Sequence, residues 1–252
     1  MLEIRELEFI RGATFALTID HWQVVPGEVR AVLGTNGAGK STLLKLLCGE
    51  QRSRQQVLLH ARALDDWNPV ERARHLGVLP QASSLDFAFS AEEVVCLGLI
   101  PLTLGWRDAR QAVAAIMRAT DCAHLARKNY RTLSGGERQR VQLARILVQL
   151  SQAEREPVLL LDEPTSAQDL GQQHRVLDLA RQLATERDYA VAAILHDLNL
   201  AIRYADQCIL LSAGELVASG VPADVITREN IQRHWGYAAT ILTSAGGKPV
   251  IA

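Results

Sequence analysis

The stretch "VRAVLGTNGAGKSTLLKLLCG", Val29–Gly49, decides the architecture. Its first residues form a short apolar run, the pattern of a strand buried on both faces. From Ser41 the spacing of leucines turns helical, and Gly49 stands where helices commonly stop. Between them, Gly34–Thr42 reads GTNGAGKST, a match to G-x-x-x-x-G-K-[ST] in the strand-to-helix setting that gives the motif its meaning. Glycines there let backbone N–H groups turn inward around phosphate oxygens, where a Cβ would obstruct them. In such a cradle Gly34, Thr35, Asn36, Gly37, Ala38 and Gly39 form the loop and Lys40 reaches the outer phosphates. Ser41 offers a hydroxyl to Mg²⁺, and Thr42 closes the motif as a further nucleotide-binding residue.

Outward from this point the chain alternates in texture. "LEIRELEF", "ATFALTID" and "VVPGE" precede it and predict a small antiparallel β region. After it come a short strand "QVLLH", a helix over Val70–His75 and a strand "LGVLP". From about 82 to 156 the pattern is long and helical, and predicts an inserted helical subdomain. The strand–helix rhythm returns with "VLLLDEP", a helix near 171–187, "AVAAILHD" and a helix over 198–204. "QCILLSAGELVASG" reads as a hairpin at the sheet edge, and the stretch from Pro222 as one helix with a weakly patterned tail. The expectation is one α/β domain over residues 1–252. Segments 1–81 and 157–252 make its β region and mainly parallel core, and the helical piece is inserted between them.

Bulk properties narrow the function. The chain has 252 residues and a net charge of −1, without a lysine-arginine block, which argues against a basic nucleic-acid face. The first ten residues are charged from the third onward, unlike a secretory signal, and no run is long and apolar enough to span a bilayer. Cys48, Cys96, Cys122 and Cys208 are scattered, which favours plain buried thiols over a metal or disulfide set.

Two further motifs carry chemistry. In "VLLLDEP", Val158–Pro164, Asp162 ends an apolar strand where it can hold the water shell of Mg²⁺, and Glu163 can polarise an attacking water. In "YRTLSGGERQRVQLARILVQL", Tyr130–Leu150, Ser134 precedes two glycines and a helix, a site suited to an anion. A capping box with Glu137 has the same spacing, and both readings can hold together.

"LSGGERQR", Leu133–Arg140, resembles the signature of ABC-type ATPases, the nucleotide-binding subunits of ATP-driven transporters, and the likeness extends over essentially the whole chain. It implies a P-loop NTPase (RecA-like) core, and two copies packed head to tail around two Mg²⁺-ATP. Leu133, Ser134, Gly135, Gly136 and Glu137 would close on the partner's ATP. It assigns Gln81 to sensing Mg²⁺ and water, His196 to the γ-phosphate, Asp169 to coupling across the dimer and Phe9 to stacking on adenine. As residues alone these are a loop glutamine, a strand cap, a loop aspartate and an aromatic of the β region.

"HDLNLAIRYADQCILL", "DFAFSAEEVVCLG" and "SQAEREPVLLLDEP" are similar to importers of metal chelates, and within them to haemin-import ATPases. Ferric siderophores and vitamin B12 are the alternative cargoes, and a soluble ABC ATPase that moves no solute is the alternative class. The resemblance implies two permease subunits, a periplasmic binding protein met only indirectly, a place on the cytoplasmic face of the bacterial inner membrane, and no direct haem contact. It departs from the group at Thr35 (usually proline), Leu99 (usually arginine) and Gln168 (usually leucine).

Overall fold

The computed structural model describes residues 1–11, 15–81, 87–166, 168–244 and 247–252. The expected start of the second strand at Ala13 and the subdomain boundary at Ala82 lie outside them. Strands β1 (Leu2–Arg11) and β2 (Phe15–Val24) form a long antiparallel pair with Leu2 opposite Val24 and Phe9 opposite Leu17. β3 (Val29–Leu33) leads through the glycine loop into α1 (Lys40–Leu47). β4 (Val57–Leu59), β5 (Arg62–Ala63), α2 (Pro69–His75) and β6 (Leu76–Leu79) follow. Then come α3 (Ala91–Cys96), α4 (Trp106–Ala119) and α5 (Gly135–Leu150). The remainder is β7 (Val158–Asp162), α6 (Leu170–Arg187), β8 (Ala190–Ile194), α7 (Leu198–Tyr204), β9 (Gln207–Ser212) and β10 (Glu215–Gly220). α8 (Pro222–Val225), α9 (Arg228–Trp235) and a hairpin of β11 (Ile241–Thr243) with β12 (Pro249–Ile251) close the chain.

Ten strands join in one sheet, ordered β5-β4-β1-β2-β10-β9-β3-β8-β7-β6. The run β9-β3-β8-β7-β6 is parallel throughout, and the N-terminal strands are antiparallel. The hairpin of β9 and β10 was expected at the sheet edge. It stands inside the sheet instead, because β10 meets β2 at Glu215 and Thr18 and so joins the two halves. The stretch from Pro222 holds two short helices where one was expected, since Pro222 and Thr227 each begin a helix of their own.

The parallel strands alternate between two cores. Val29, Ala31, Leu33, Leu159, Leu161, Val191 and Ala193 face α5, α6 and α7. Val32, Val158, Leu160, Ala192 and Ile194 face α1 and the β1–β2 hairpin. Burial on both faces is what makes these strands near-continuous apolar runs in sequence. A third core sits under the helical insert, where Val94, Val95, Val113, Met117, Cys122 and Leu125 pack on Tyr130, Val141, Ala144 and Val148. α5 thus serves two cores, since its Leu143, Ile146, Leu147 and Leu150 belong to the first. Gln149 fastens the same helix to the end of α2, its amide donating to the carbonyls of Ala73 and Leu76. Cys122 is consumed by this packing, its Sγ 3.2 Å from Thr120 Oγ1. All four cysteines are free thiols. Among the described residues no helix is long and apolar enough to cross a membrane.

Candidate active site

Three neighbouring parallel strands end together: β3 at Leu33, β8 at Ile194 and β7 at Asp162, with Asp162 paired to Ile194. The loops leaving these ends carry Gly34–Gly39, Leu195–His196 and Glu163. In open parallel sheets such carboxyl ends are where ligands bind.

The glycine loop is shaped by contacts no other residue would allow. Gly34 has φ 148°, and a Cβ there would lie 2.4 Å from the Leu211 carbonyl oxygen. Gly39, at φ 109°, begins α1, and a Cβ on it would press at 3.2 Å on both Leu17 Cδ1 and Phe15 Cζ. α1 has no side-chain cap and no acidic residue in its first turn. Its leading N–H groups, which lack intrahelical acceptors, therefore remain for an anion, with the positive end of the helix dipole behind them.

An open cavity of about 460 Å³ lies over this turn, lined by Phe15, Asn36, Gly37, Gly39, Lys40, Ser41, Thr42 and Glu163. Lys40 is buried, and its Nζ donates to the carbonyls of Gly34 at 2.7 Å and Thr35 at 2.9 Å. Burial draws the pKa of its ammonium down, with the charges of Glu163 and Asp162 opposing. Ala38 turns inward into the second core, and Gly214 N–H donates to its carbonyl.

Glu163 is the hub. Gln81 Nε2 donates to its Oε2 at 2.6 Å, and His196 Nε2 meets its Oε1 at 2.5 Å. Glu163 itself has φ 50°, a left-handed backbone that costs a non-glycine residue about 1–3 kcal/mol and clusters at functional sites. The Asp162 carboxyl is pushed above its usual pKa, first by burial and then by the Glu163 charge. Two consecutive carboxylates in a confined site, with the Ser41 hydroxyl and the Gln81 amide nearby, make an oxygen-rich donor set that fits a hard divalent cation. Among the described residues no group of three His, Cys, Asp or Glu could hold a metal, so such a cation would also need substrate oxygens.

The structure therefore brings together the cradle residues with Lys40, Ser41, Gln81, Asp162, Glu163 and His196. It places others elsewhere. Phe9 sits half-buried against the second core, opposite Leu17 on β1. The aromatic at the cradle wall is Phe15, a residue the sequence reading passed over. Its signal was the two-residue alternation Phe15, Leu17, Ile19, which puts it on the inner face of β2. Ser134 caps α5, its Oγ accepting from Glu137 N–H at 3.3 Å while Glu137 Oε2 accepts from Ser134 N–H at 2.8 Å. Those bonds hold the Glu137 carboxyl below its usual pKa. None of Leu133–Glu137 lines the cradle cavity. Asp169 caps α6 through Gln172 N–H at 2.9 Å.

A glycine cradle after a central parallel strand, with an acidic pair ending the neighbouring one, defines a P-loop nucleoside triphosphatase. The family is settled by comparison: a model of the ABC transporter family matches residues 17–166, and the chain belongs to that family. It is an ATP-binding and ATP-hydrolysing chain of that kind. It is 46% identical over 253 residues, covering all of both chains, to a hemin import ATP-binding protein of Shewanella denitrificans. A protein of the same name from Vibrio cholerae is 51% identical over 215 residues, 85% of this chain and 83% of that one. The fold matches a metal-chelate type ABC transporter in an inward-facing conformation, with TM-score 0.81 and 28% identity over 100% of this chain and 97% of that one.

Proposed function

We propose that this chain is the ATPase subunit of an importer whose cargo is haemin, working as a head-to-tail pair of copies beneath two separate permease subunits. The observation that carries this is the 46% identity, over the full length of both chains, to a hemin import ATP-binding protein. The metal-chelate type transporter with a similar fold agrees with the broader cargo class.

In this reading the γ-phosphate of ATP is held by the loop N–H groups and Lys40, which leaves the Gly34 and Thr35 carbonyls to reach it. Glu163 accepts a hydrogen bond from the attacking water and turns it in line, its carboxylate aimed by Gln81 and His196. His196 also faces the phosphoryl group, where it offsets developing charge. Ser41, Asp162 and Gln81 would hold Mg²⁺, which supplies charge neutralisation of the phosphates. Phe15, rather than Phe9, offers a π-face to the nucleotide.

The signature turn Leu133–Glu137 stands away from the chain's own cradle, which supports its meeting the phosphate of a second copy. The capping box leaves the N–H groups of Gly135 and Gly136 to that phosphate. Asp169, six residues past Glu163 and the cap of α6, would couple the two sites across the pair. On the helical insert, Phe87, Ile100 and Trp106 are exposed apolar side chains, Ile100 at 76%, and they suit a permease contact. Leu99, beside them, turns inward onto the third core. The assembly would sit peripherally on the cytoplasmic face of the inner membrane, with a periplasmic binding protein reached only through the permease and no haem contact with this chain.

Growth of an iron-starved strain lacking this gene, fed haemin or a ferric siderophore, tests the cargo. Failure on haemin alone is the expected result. Failure on the siderophore alone keeps the ATPase and rejects haemin.

A further inference from the structure

A side-chain chain runs from the loop ahead of α6 to the backbone of Glu163 by way of α5. Gln168 Nε2 donates to Gln139 Oε1 at 2.5 Å, and Gln139 Nε2 donates to the Glu163 carbonyl at 3.4 Å. Gln139 is only 8% exposed, one turn beyond the Ser134 cap. The terminal carbonyl can only accept, so Gln139 must turn its NH₂ to Glu163 and its oxygen to Gln168. Gln168 must then donate. The chemistry at one end therefore orients both amides.

The Glu163 carbonyl also accepts from Ser166 N–H at 3.0 Å and Ser166 Oγ at 2.9 Å. Of these three donors, Gln139 alone comes from another element. Gln168 is held in turn by Gln173 Nε2, which donates to its carbonyl at 3.1 Å. Its own Oε1 is buried without a partner among the described residues, so its side chain is placed for the bond it donates. A left-handed residue such as Glu163 persists only where its surroundings over-determine it.

We infer that Gln168 and Gln139 are positioning residues for hydrolysis, forming a relay by which the signature helix holds the backbone of its own chain's Glu163. The relay keeps the carboxylate between Gln81 and His196, and it links the helix that serves one ATP to the glutamate that serves the other. This rests on the reading of Glu163 as the water-orienting group. Leucine at 168 would fill the same space and donate nothing.

The test is steady-state ATPase kinetics on the full-length protein. Gln168→Leu lowers kcat between about twofold and about tenfold, the worth of one neutral hydrogen bond, while KM for ATP stays within about twofold and Tm is unchanged. Gln168→Glu costs more than Gln168→Leu, because it sets acceptor against acceptor at Gln139. Gln139→Leu costs at least as much as Gln168→Leu, and the double variant costs no more than Gln139→Leu alone. Wild-type kcat in Gln168→Leu overturns the relay, as do additive losses in the double variant or a kcat loss that tracks Tm. Should Gln139→Leu fail to fold, the order of the two Gln168 variants decides. Glu163→Gln is measured beside them. Wild-type turnover there overturns the glutamate reading and the relay together, whereas a collapse of turnover in Glu163→Gln beside wild-type kcat in Gln168→Leu overturns the relay alone.

Discussion

Gln81 and Glu163, 82 residues apart in sequence, are joined by a 2.6 Å hydrogen bond from amide to carboxylate. The bond joins the two core segments that flank the helical insert in sequence. His196 grips the other oxygen from the end of β8.

Removing the charge from this hub separates binding from turnover. Glu163→Gln should bind ATP as wild type does and lose about 10²–10³-fold in phosphate release, the usual scale for a positioned base or a stabilising group. Nucleotide titration beside a phosphate assay checks it. Turnover at wild-type rate would remove Glu163 from the chemistry.

The two phenylalanines of the hairpin should part company. Phe15→Ala is expected to raise KM for ATP about five- to fiftyfold, from lost stacking on a base, and to lower Tm as well, because its side chain also packs on the second core. Phe9→Ala should leave KM near wild type and lower Tm, because its side chain packs on the second core. The reverse pattern would return the nucleotide to Phe9.

At the cradle, Gly34→Ala should destabilise the fold by about 2–4 kcal/mol, since its methyl group meets a backbone oxygen that cannot step aside. That corresponds to a Tm lower by about 5–15 °C in a domain of this size. An unchanged Tm in calorimetry would mean that the loop relaxes at little cost.

Acid should weaken the fold near the N-terminus. His60, His75 and Trp67 pack edge to face, and the Met1 amine lies 3.3 Å from His60 Nδ1. Burial first, then the charges of the N-terminus, His75 and Arg155, lower the His60 pKa from 6.5 to about 4, with Glu156 opposing. His75 is lowered too, chiefly by burial, with Glu154 and Glu71 opposing and Arg155 and Arg74 assisting. Between about 4 and 6.5 the unfolded chain binds more protons, so the stability from these neutral imidazoles is full above 6.5 and lost as pH falls through that window. Asp162 acts oppositely, holding its proton more tightly when folded. Tm measured from about pH 7.5 down to about pH 5 should therefore fall less steeply in His60→Phe than in wild type. Identical slopes would reject the His60 assignment.

Most of the site was legible because its parts are local. The cradle Gly34–Thr42 and the acidic pair Asp162–Glu163 each lie on a short stretch at a strand end. Backbone geometry and residue type there suffice to state the chemistry. The helix from Leu170 and the strands β3, β7 and β8 followed from periodicity, since burial on both faces leaves an unmistakable apolar run.

The remainder depended on pairing between distant segments. That Phe15 rather than Phe9 reaches the cradle follows from Gly39 lying against β2, a contact no spacing reveals. The β9–β10 hairpin sits within the sheet because Glu215 meets Thr18 across almost 200 residues. The meeting of Gln168, Gln139 and the Glu163 carbonyl likewise exists only once α5 is laid beside the loop ahead of α6. The sequence determined which groups could do chemistry, because that is a property of residue types on short loops. The tertiary structure decided which of them touch, because contact is set by how separate strands and helices share their cores.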